Sequence, residues 1–589
     1  MAFQLSPGVV VKEIDLTNVI PAVSSSIGAM VGSFSQGPVE EIVSVSSETE
    51  FVNIFGKPTI SNYTAYFQAA SFLQYGRTLR VVRASSGQLN AASISAKLIS
   101  SVDAWENKIT EADKTAAGYW AARVPGVYGN SLSVGICTAS TDNVAFYGEF
   151  DGTNTIADPW DHASEFAQPP TTSPYAEKRG GANDEIHIVV VDTDGKISGE
   201  AGTVLEKFAH LSVAEDAKTT DGSTNYWYDV VGRESKYIYP MTNIISDMVE
   251  ADPIEYAEDP GFLAEVKFAN IAGAPLYYNS EDQVLTGGSD GDATVGSDDI
   301  VNAMELFADT ELVDINLLIC PVDDDEDDEK TFATKAIQIA EARKDCIAFI
   351  SPPVGKTVGA STPTEDVIAY FSTLASTSYA MSDSTAVKMY DKYNDVYRWV
   401  PANGHVAGLC AYTDSAADAW WSPAGFNRGQ LLGVSKIAFN PTGSQRDDLY
   451  QNRVNPIASF PGEGTILYGD KTMLARPSAF DRINVRRLFI LLEKAIATAA
   501  KYQLFEFNDE FTRAQFKNMV EPFLRDVKGR RGVTDFLVVC DETNNTGQVI
   551  DTNNFVADIY IKPARSINFI TLNFIATRTD VEFSEIVGQ

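Results

Sequence analysis

Two hydrophobic rhythms alternate along this 589-residue chain, and their order predicts its architecture. Ser47 and Glu50 form a capping box ahead of an apolar run at 51–55 that Gly56 ends. Tyr63, Phe67, Ala70 and Leu73 then recur at helical spacing up to Gly76, and a β-type run at 79–83 follows at once. The same alternation returns further on. Ser297 caps a helix whose first turn holds Asp298 and Asp299, followed by a strand at 314–320, a helix at 332–343 and a strand at 347–351. Such alternation predicts a partly parallel sheet with helices on its faces.

Between these halves the rhythm changes. Residues 85–117 are small, polar and weakly periodic, which reads as a linker or stub. A turn-rich stretch from Arg123 to Asn130 leads into a strand at 133–137, and strands mix with long polar loops up to 275, as in an inserted, surface-facing domain. The final hundred residues differ again. Val485, Leu488, Phe489, Leu492, Ile496 and Ala499 mark one face of a long helix, while Arg487, Lys494 and Lys501 recur every seven residues on another. A second helix spans 511–527, bent or interrupted at Pro522. Three strand-like runs at 533–540, 555–562 and 567–577 close the chain as an antiparallel sheet whose edges must be paired or covered.

The expected fold is therefore α/β and α+β multidomain: an α/β core interrupted by a β-rich inserted domain, then a C-terminal helix-plus-antiparallel-sheet domain. The boundaries are an N-terminal arm at 1–22, core at 23–84, linker or stub at 85–120, insert at 121–310, core at 311–480, C-terminal domain at 481–577 and a C-terminal arm at 578–589.

Charge narrows the function. The chain has 80 acidic and 45 basic residues, a net −35, which disfavours phosphate-backbone binding and adhesion to anionic membranes. The distribution says more. Residues 471–531 hold 13 basic and 7 acidic residues, a local +6, leaving 32 basic and 73 acidic elsewhere, or −41. This basic enclave is either a solvated helix face or a docking surface for an acidic partner. Five scattered cysteines without a CxxC read as small buried hydrophobes in a reducing compartment. No basic region precedes an apolar stretch at the N-terminus, and the apolar runs fall far short of the ~20 residues a membrane span needs.

Motifs for chemistry are near misses. Gly355-Lys356-Thr357 resembles the end of a phosphate loop, but Ile350 stands where that motif needs glycine. Residues 287–292 fit neither the EF-hand spacing nor a calcium-binding repeat. His162, His187, His210 and His405 lie far apart without HExxH spacing, and no GxSxG elbow occurs. No catalytic residue, metal or cofactor is expected. The seven acidic residues at 323–329 read as a solvated loop whose last members face a helix N-terminus. A hydrolase or nucleotidase lacks its elbow or loop here, and a secreted adhesin lacks its export signal and aromatic repeats.

The termini form one more constellation. The β-rich run at 9–14 and the segment at 581–586 have no evident partners in the sequence around them. They are frayed or self-paired ends, or strands donated to another copy's sheet edge. Repeated head-to-tail, donation would build an open helical array.

Longer stretches are distinctive as words. They begin with Leu5-Ser6-Pro7-Gly8-Val9, Phe55-Gly56-Lys57-Pro58, Leu73-Gln74-Tyr75-Gly76 and Leu79-Arg80-Val81-Val82-Arg83-Ala84. They continue through Tyr390-Asp391-Lys392-Tyr393-Asn394-Asp395-Val396, Arg398-Trp399-Val400-Pro401, residues 421–430, 467–472 and 480–489, and Ile561-Lys562-Pro563-Ala564-Arg565-Ser566-Ile567-Asn568. In these stretches the chain resembles a known family, the tail sheath proteins of contractile-tailed bacteriophages, most closely the T-even-like branch. The resemblance covers about the first 85 residues and nearly everything after 310, and is weaker between them.

The resemblance implies a structural, non-enzymatic virion protein assembled in the host cytoplasm. Hexameric rings would stack around a tail tube as a sheath that contracts to drive the tube through the host envelope. The sheath of a phage-derived contractile injection particle is the alternative. Implied partners are further copies, the tube protein, and baseplate and tail terminator proteins, with no direct nucleic acid and no membrane insertion. By the same resemblance Val9, Val10, Val11 and Ile14 would be the donated N-terminal strand, and Val581, Phe583 and Ile586 the C-terminal arm. Ile559, Ile561, Ile567 and Phe569 would belong to the receiving sheet, and Arg487, Lys494, Lys501, Arg513 and Lys517 would contact the tube.

Overall fold

The computed structural model describes residues 24–568 apart from 77, 85, 140–142, 151–154, 158, 180–181, 243–282, 292–294 and 324. A six-stranded sheet organises the core, in the order Ala380–Ser382, Ile347–Ile350, Leu317–Ile319, Gly28–Gly32, Leu79–Arg83, Ile42–Val45. All neighbours are parallel except the last pair. Two segments far apart in sequence thus meet at the centre, where Gly28 lies opposite both Leu79 and Leu317. The period-two pattern of the strands divides the core. Met30, Val81, Leu317 and Phe349 face the helices Tyr63–Leu73 and Asn403–Ala416, while Ala29, Val31, Leu318 and Ile350 face Glu326–Arg343 and Pro363–Ser372.

Local signals act as expected at the first helix. Glu48–Phe55 is capped by Ser47, whose Oγ accepts from the Glu50 N–H at 3.2 Å, and Gly56 closes it at φ 85°. The later cap differs. Gly296 rather than Ser297 precedes the helix Ser297–Glu305, and its N–H donates to Asp299 at 2.9 Å.

The chain leaves the sheet after Arg83 and re-enters at Leu317. Buried Arg83 donates to the carbonyls of Gly37, Pro125 and Asp290 at 2.7–2.8 Å, tying the sheet to the intervening region. There Leu132–Thr138, Glu185–Asp192 and Thr203–Ser212 form an antiparallel sheet packed beneath Trp120 and Trp227. The stretch at 85–120, expected as a linker or stub, is packed structure in its described residues. Asn90 bonds Ile99 and Ala122 through its side chain, and Trp105 stacks between Tyr228 and Tyr239 at 5.5 and 5.6 Å. Ala92 bridges Ala121, and Ala104 and Ala117 pack with Trp105 in the same buried cluster, so the small-residue composition misleads.

The acidic run also changes meaning. Asp325 caps the helix Glu326–Arg343, as the dipole favours, but Glu329 is fully buried with Oε2 unpartnered. Its Oε1 accepts from the Tyr370 hydroxyl at 3.5 Å. Burial, then the charges of Asp383 and Asp323, hold the Glu329 carboxyl well above its usual range. Burial also pushes Asp383 up to about 7, against hydrogen bonds from Ser351 and Thr385.

The fold thus favours the protonated form of both groups. Their contribution is therefore intact below the unfolded carboxyl values near pH 4 and is lost as pH rises toward the folded ones. The melting temperature is expected to fall between pH 4 and pH 7, and Glu329→Gln, neutral and of the same shape, should flatten that fall in calorimetry. Parallel pH curves for the two proteins exclude a protonated Glu329.

Candidate assembly interface

The C-terminal region builds its surfaces on a helical hairpin. Helix Ile483–Ala500 buries Val485, Leu488, Leu492, Ala495 and Ala499, and Glu510–Gly529 answers with Phe516, Met519, Val520, Leu524 and Val527. Pro522 does not end the second helix, because it sits on an exposed side where the carbonyl it leaves unbonded meets water. Against this pair lies the antiparallel hairpin of Val533–Val539 and Asp558–Pro563, with Ile559 and Ile561 half-buried toward the helices. Among the described residues each of these two strands pairs only with the other. Leu537 and Tyr560 stand exposed on the outer face. Residue 567 is exposed, while Val9, Val10, Val11, Ile14, Phe569, Val581, Phe583 and Ile586, with most of the run at 567–577, lie outside the described residues.

The basic enclave is not one surface. Arg487, expected on the face turned to the tube, is only 4% exposed. It donates to Asp414 at 2.6 Å and to the Ser25 and Cys410 carbonyls, fastening the hairpin to helix Asn403–Ala416. Arg513, also buried, donates to Asn508 Oδ1 at 2.9 Å and braces the loop between the helices. Neither side chain is available to a partner in this arrangement. Lys494 is paired with Asp314. Lys517 approaches Glu521 at 3.8 Å across one helical turn, and Lys501 is exposed with no ion pair among the described residues.

The seven-residue spacing does place Arg487, Lys494 and Lys501 along one stripe, but that stripe crosses from the core interface to solvent. Only its last member clears the core. Sequence pattern alone also passes over Arg482 and Arg486. Arg482 reaches Tyr450 and Asp470, and Arg486 lies over Tyr379 and Phe480 at 4.3 and 4.0 Å while donating to Ser378. The signal for Arg486 is two adjacent arginines inside an apolar helical run, where a solvated face would alternate.

Among the described residues no group of three or more His, Cys, Asp or Glu side chains is placed to hold a metal ion. His187 and His210 do come together, ring centroids 4.6 Å apart, beside Glu185. Both nitrogens of His187 are occupied, by the Gln168 carbonyl and the His210 N–H. His405 is buried between Tyr75 and the Met389 sulfur, and burial lowers it to about 3, so it stays neutral. The Gly355-Lys356-Thr357 stretch is a single tight turn. All five cysteines are free and buried, and no helix is long and apolar enough to cross a membrane among the described residues.

Three family descriptions match the sequence in chain order. They are the tail sheath protein Gp18 domain III N-terminal region over residues 25–84, the phage tail sheath protein central domain over 293–473, and the phage tail sheath C-terminal domain over 475–577. The chain is 35% identical to the tail sheath protein of Vibrio phage KVP40, over 99% of this chain and 100% of that one. The chain belongs to the phage tail sheath protein family. The tail sheath protein of Enterobacteria phage T4 is 34% identical, with 99% of both chains covered. The solved sheath tail protein of Listeria innocua shares the fold at a TM-score of 0.53 and 10% identity, over 93% of each chain.

This sheath protein is thus a structural component of a contractile phage tail and of the virion. Its core and C-terminal region are the parts the family descriptions match, while residues 85–292 fall between those matches.

Proposed function

We propose that copies of this sheath protein stack as hexameric rings around a tail tube and are held by strand exchange, with no enzymatic step. The observation that carries this reading is the hairpin Val533–Val539 with Asp558–Pro563, a two-stranded unit seated on helices with both outer edges unpaired among the described residues. Unpaired edges invite added strands. The β-branched run Val9-Val10-Val11 and the apolar segment around Phe583 are suited to supply them. Roughly five main-chain hydrogen bonds at a net ~0.5–1.5 kcal/mol each give several kcal/mol per donated strand.

Contraction is then rigid-body movement of subunits about retained strand hinges. The inserted segment, expected at 121–310, faces outward except at its end, where helix Ser297–Glu305 buries Ala303 and Met304 against Ala29 and Val31 of the core sheet; baseplate and terminator proteins cap the array, and assembly takes place in the host cytoplasm. The tube contact reduces to the exposed Lys501 and the half-exposed Lys517, with Lys494 recruited only if its pair with Asp314 opens.

Negative-stain microscopy tests this reading. The purified protein should form tubes, and Lys501→Glu with Lys517→Glu should still form them while no longer coating an acidic tail tube in the extended state. Absence of polymers in the unaltered protein overturns the assembly reading. Normal extended sheaths from the double variant overturn the tube contact.

A further inference from the structure

Five large apolar side chains crowd the turn between the two C-terminal helices. Tyr502, Leu504, Phe505, Phe507 and Phe511 are all exposed, Phe505 completely and Phe507 to 84%. The turn is not loose. The Asn508 side chain donates to the Asn554 carbonyl at 2.8 Å, Arg513 holds Asn508, and Asp509 caps the second helix by accepting from the Thr512 N–H. An ordered scaffold therefore holds the rings outward. Large apolar side chains exposed this close together in the chain mark an interaction site. Four aromatic rings at about 150–250 Å² each approach the roughly 800 Å² that one partner gives to a standard interface. The tip is also acidic, since Glu506, Asp509 and Glu510 lie within 502–511 and no lysine or arginine does.

A complementary surface lies at the other end of the same hairpin. A groove of about 1200 Å³ opens between Trp420 and Trp421 on one side and residues 564–568 on the other. Arg428 and Arg531 lie over the Trp421 ring at 5.2 and 5.5 Å, and Arg446 lies over Tyr468 at 5.9 Å. No carboxylate pairs with these three among the described residues, nor with the exposed Arg565 at the rim. The lining holds five cations and two carboxylates, and one of the two, Asp470, already accepts from Arg482 and Ser566.

Tip and groove cannot meet within one chain. Glu510 at the tip and Lys528 at the groove are near opposite ends of one helix, about 27 Å apart at 1.5 Å per residue. We propose that the acidic aromatic tip at 502–511 of one copy seats in the arginine- and tryptophan-walled groove of a second copy. The partner is another copy because this chain itself carries both halves, matched in charge and in aromatic character. The contact is heterologous: each copy offers one tip and one groove, so it propagates rather than closing on itself as a pair. This inference rests on the assembly reading and adds to it a contact between side chains, separate from strand exchange.

Site-directed crosslinking in the full chain tests it, with a clean background because the five native cysteines are buried. Phe505→Cys with Arg565→Cys in one chain, polymerised and then mildly oxidised, should give a ladder of dimers, trimers and longer species on non-reducing gels. Either substitution alone should give none. Phe505→Ser with Phe507→Ser should lower polymer yield at least tenfold while leaving the melting temperature of the monomer unchanged, since these rings touch solvent in the single chain.

Polymers that form without the ladder overturn the tip-to-groove contact and leave the assembly reading standing, whereas a protein that never polymerises overturns both. Dimers from Phe505→Cys alone identify a tip-to-tip contact and overturn the proposal. So does capture of Phe505→Cys by a cysteine-bearing tube protein, or of Arg565→Cys by Phe583→Cys from the C-terminal segment.

Discussion

Removing residues 1–15 is expected to leave a chain that folds, with an unchanged far-ultraviolet spectrum, but sediments as a monomer under conditions where the full chain forms tubes. Val9, Val10, Val11 and Ile14 supply a β-branched apolar run on a stretch that has no strand partner in the sequence around it. The hairpin Val533–Val539 with Asp558–Pro563 offers unpaired edges, among the described residues, on a rigid helical base. Several kcal/mol per donated strand, repeated at every subunit, separates a polymer from a monomer. The core clusters of the described residues are assembled from Ala29 onward, so folding is expected to survive. Sedimentation velocity reads the result directly, and tubes formed by the truncated protein would exclude strand donation from this end.

Arg487→Ala acts within the subunit and is expected to be strongly destabilising. The arginine joins the C-terminal hairpin to helix Asn403–Ala416 through Asp414, and Asp414 Oδ1 already lacks a partner. Truncating the arginine strands a buried carboxylate, which costs about 3–5 kcal/mol. In urea the C-terminal region should then unfold at clearly lower concentration. Arg487→Met combined with Asp414→Leu should recover most of the loss, because two apolar side chains of similar volume remove the desolvation penalty as well as the attraction. A single substitution that left the urea midpoint in place would mean that the pair is solvated, contrary to its burial.

Several elements are legible in the sequence itself. The helix ended by Gly56, the strand at 79–83 and the helix at 483–500 follow from capping, period and punctuation within a dozen neighbouring residues. The parallel sheet follows from the strand–helix rhythm on both sides of the intervening region. The stretch around Trp105 is not legible in this way, because small-residue composition resembles a linker. Trp105 meets its ring partners Tyr228 and Tyr239 more than a hundred residues away, a packing that no local pattern announces. Glu329 escapes for a related reason: a run of acids reads as solvated, whereas one of them falls on the inward face of its helix.

The basic enclave shows the division most clearly. Sequence alone determined that the C-terminal region carries +6 in a chain of −35, and that Arg487, Lys494 and Lys501 share a stripe, because both depend only on residue count and helical period. Only the tertiary structure decided that Arg487 is a buried clamp, that Lys494 is paired, and that Lys501 reaches solvent. The physical reason is that a helix's period fixes which residues share a face, while the partners packed along it fix where that face dips into the core and where it emerges.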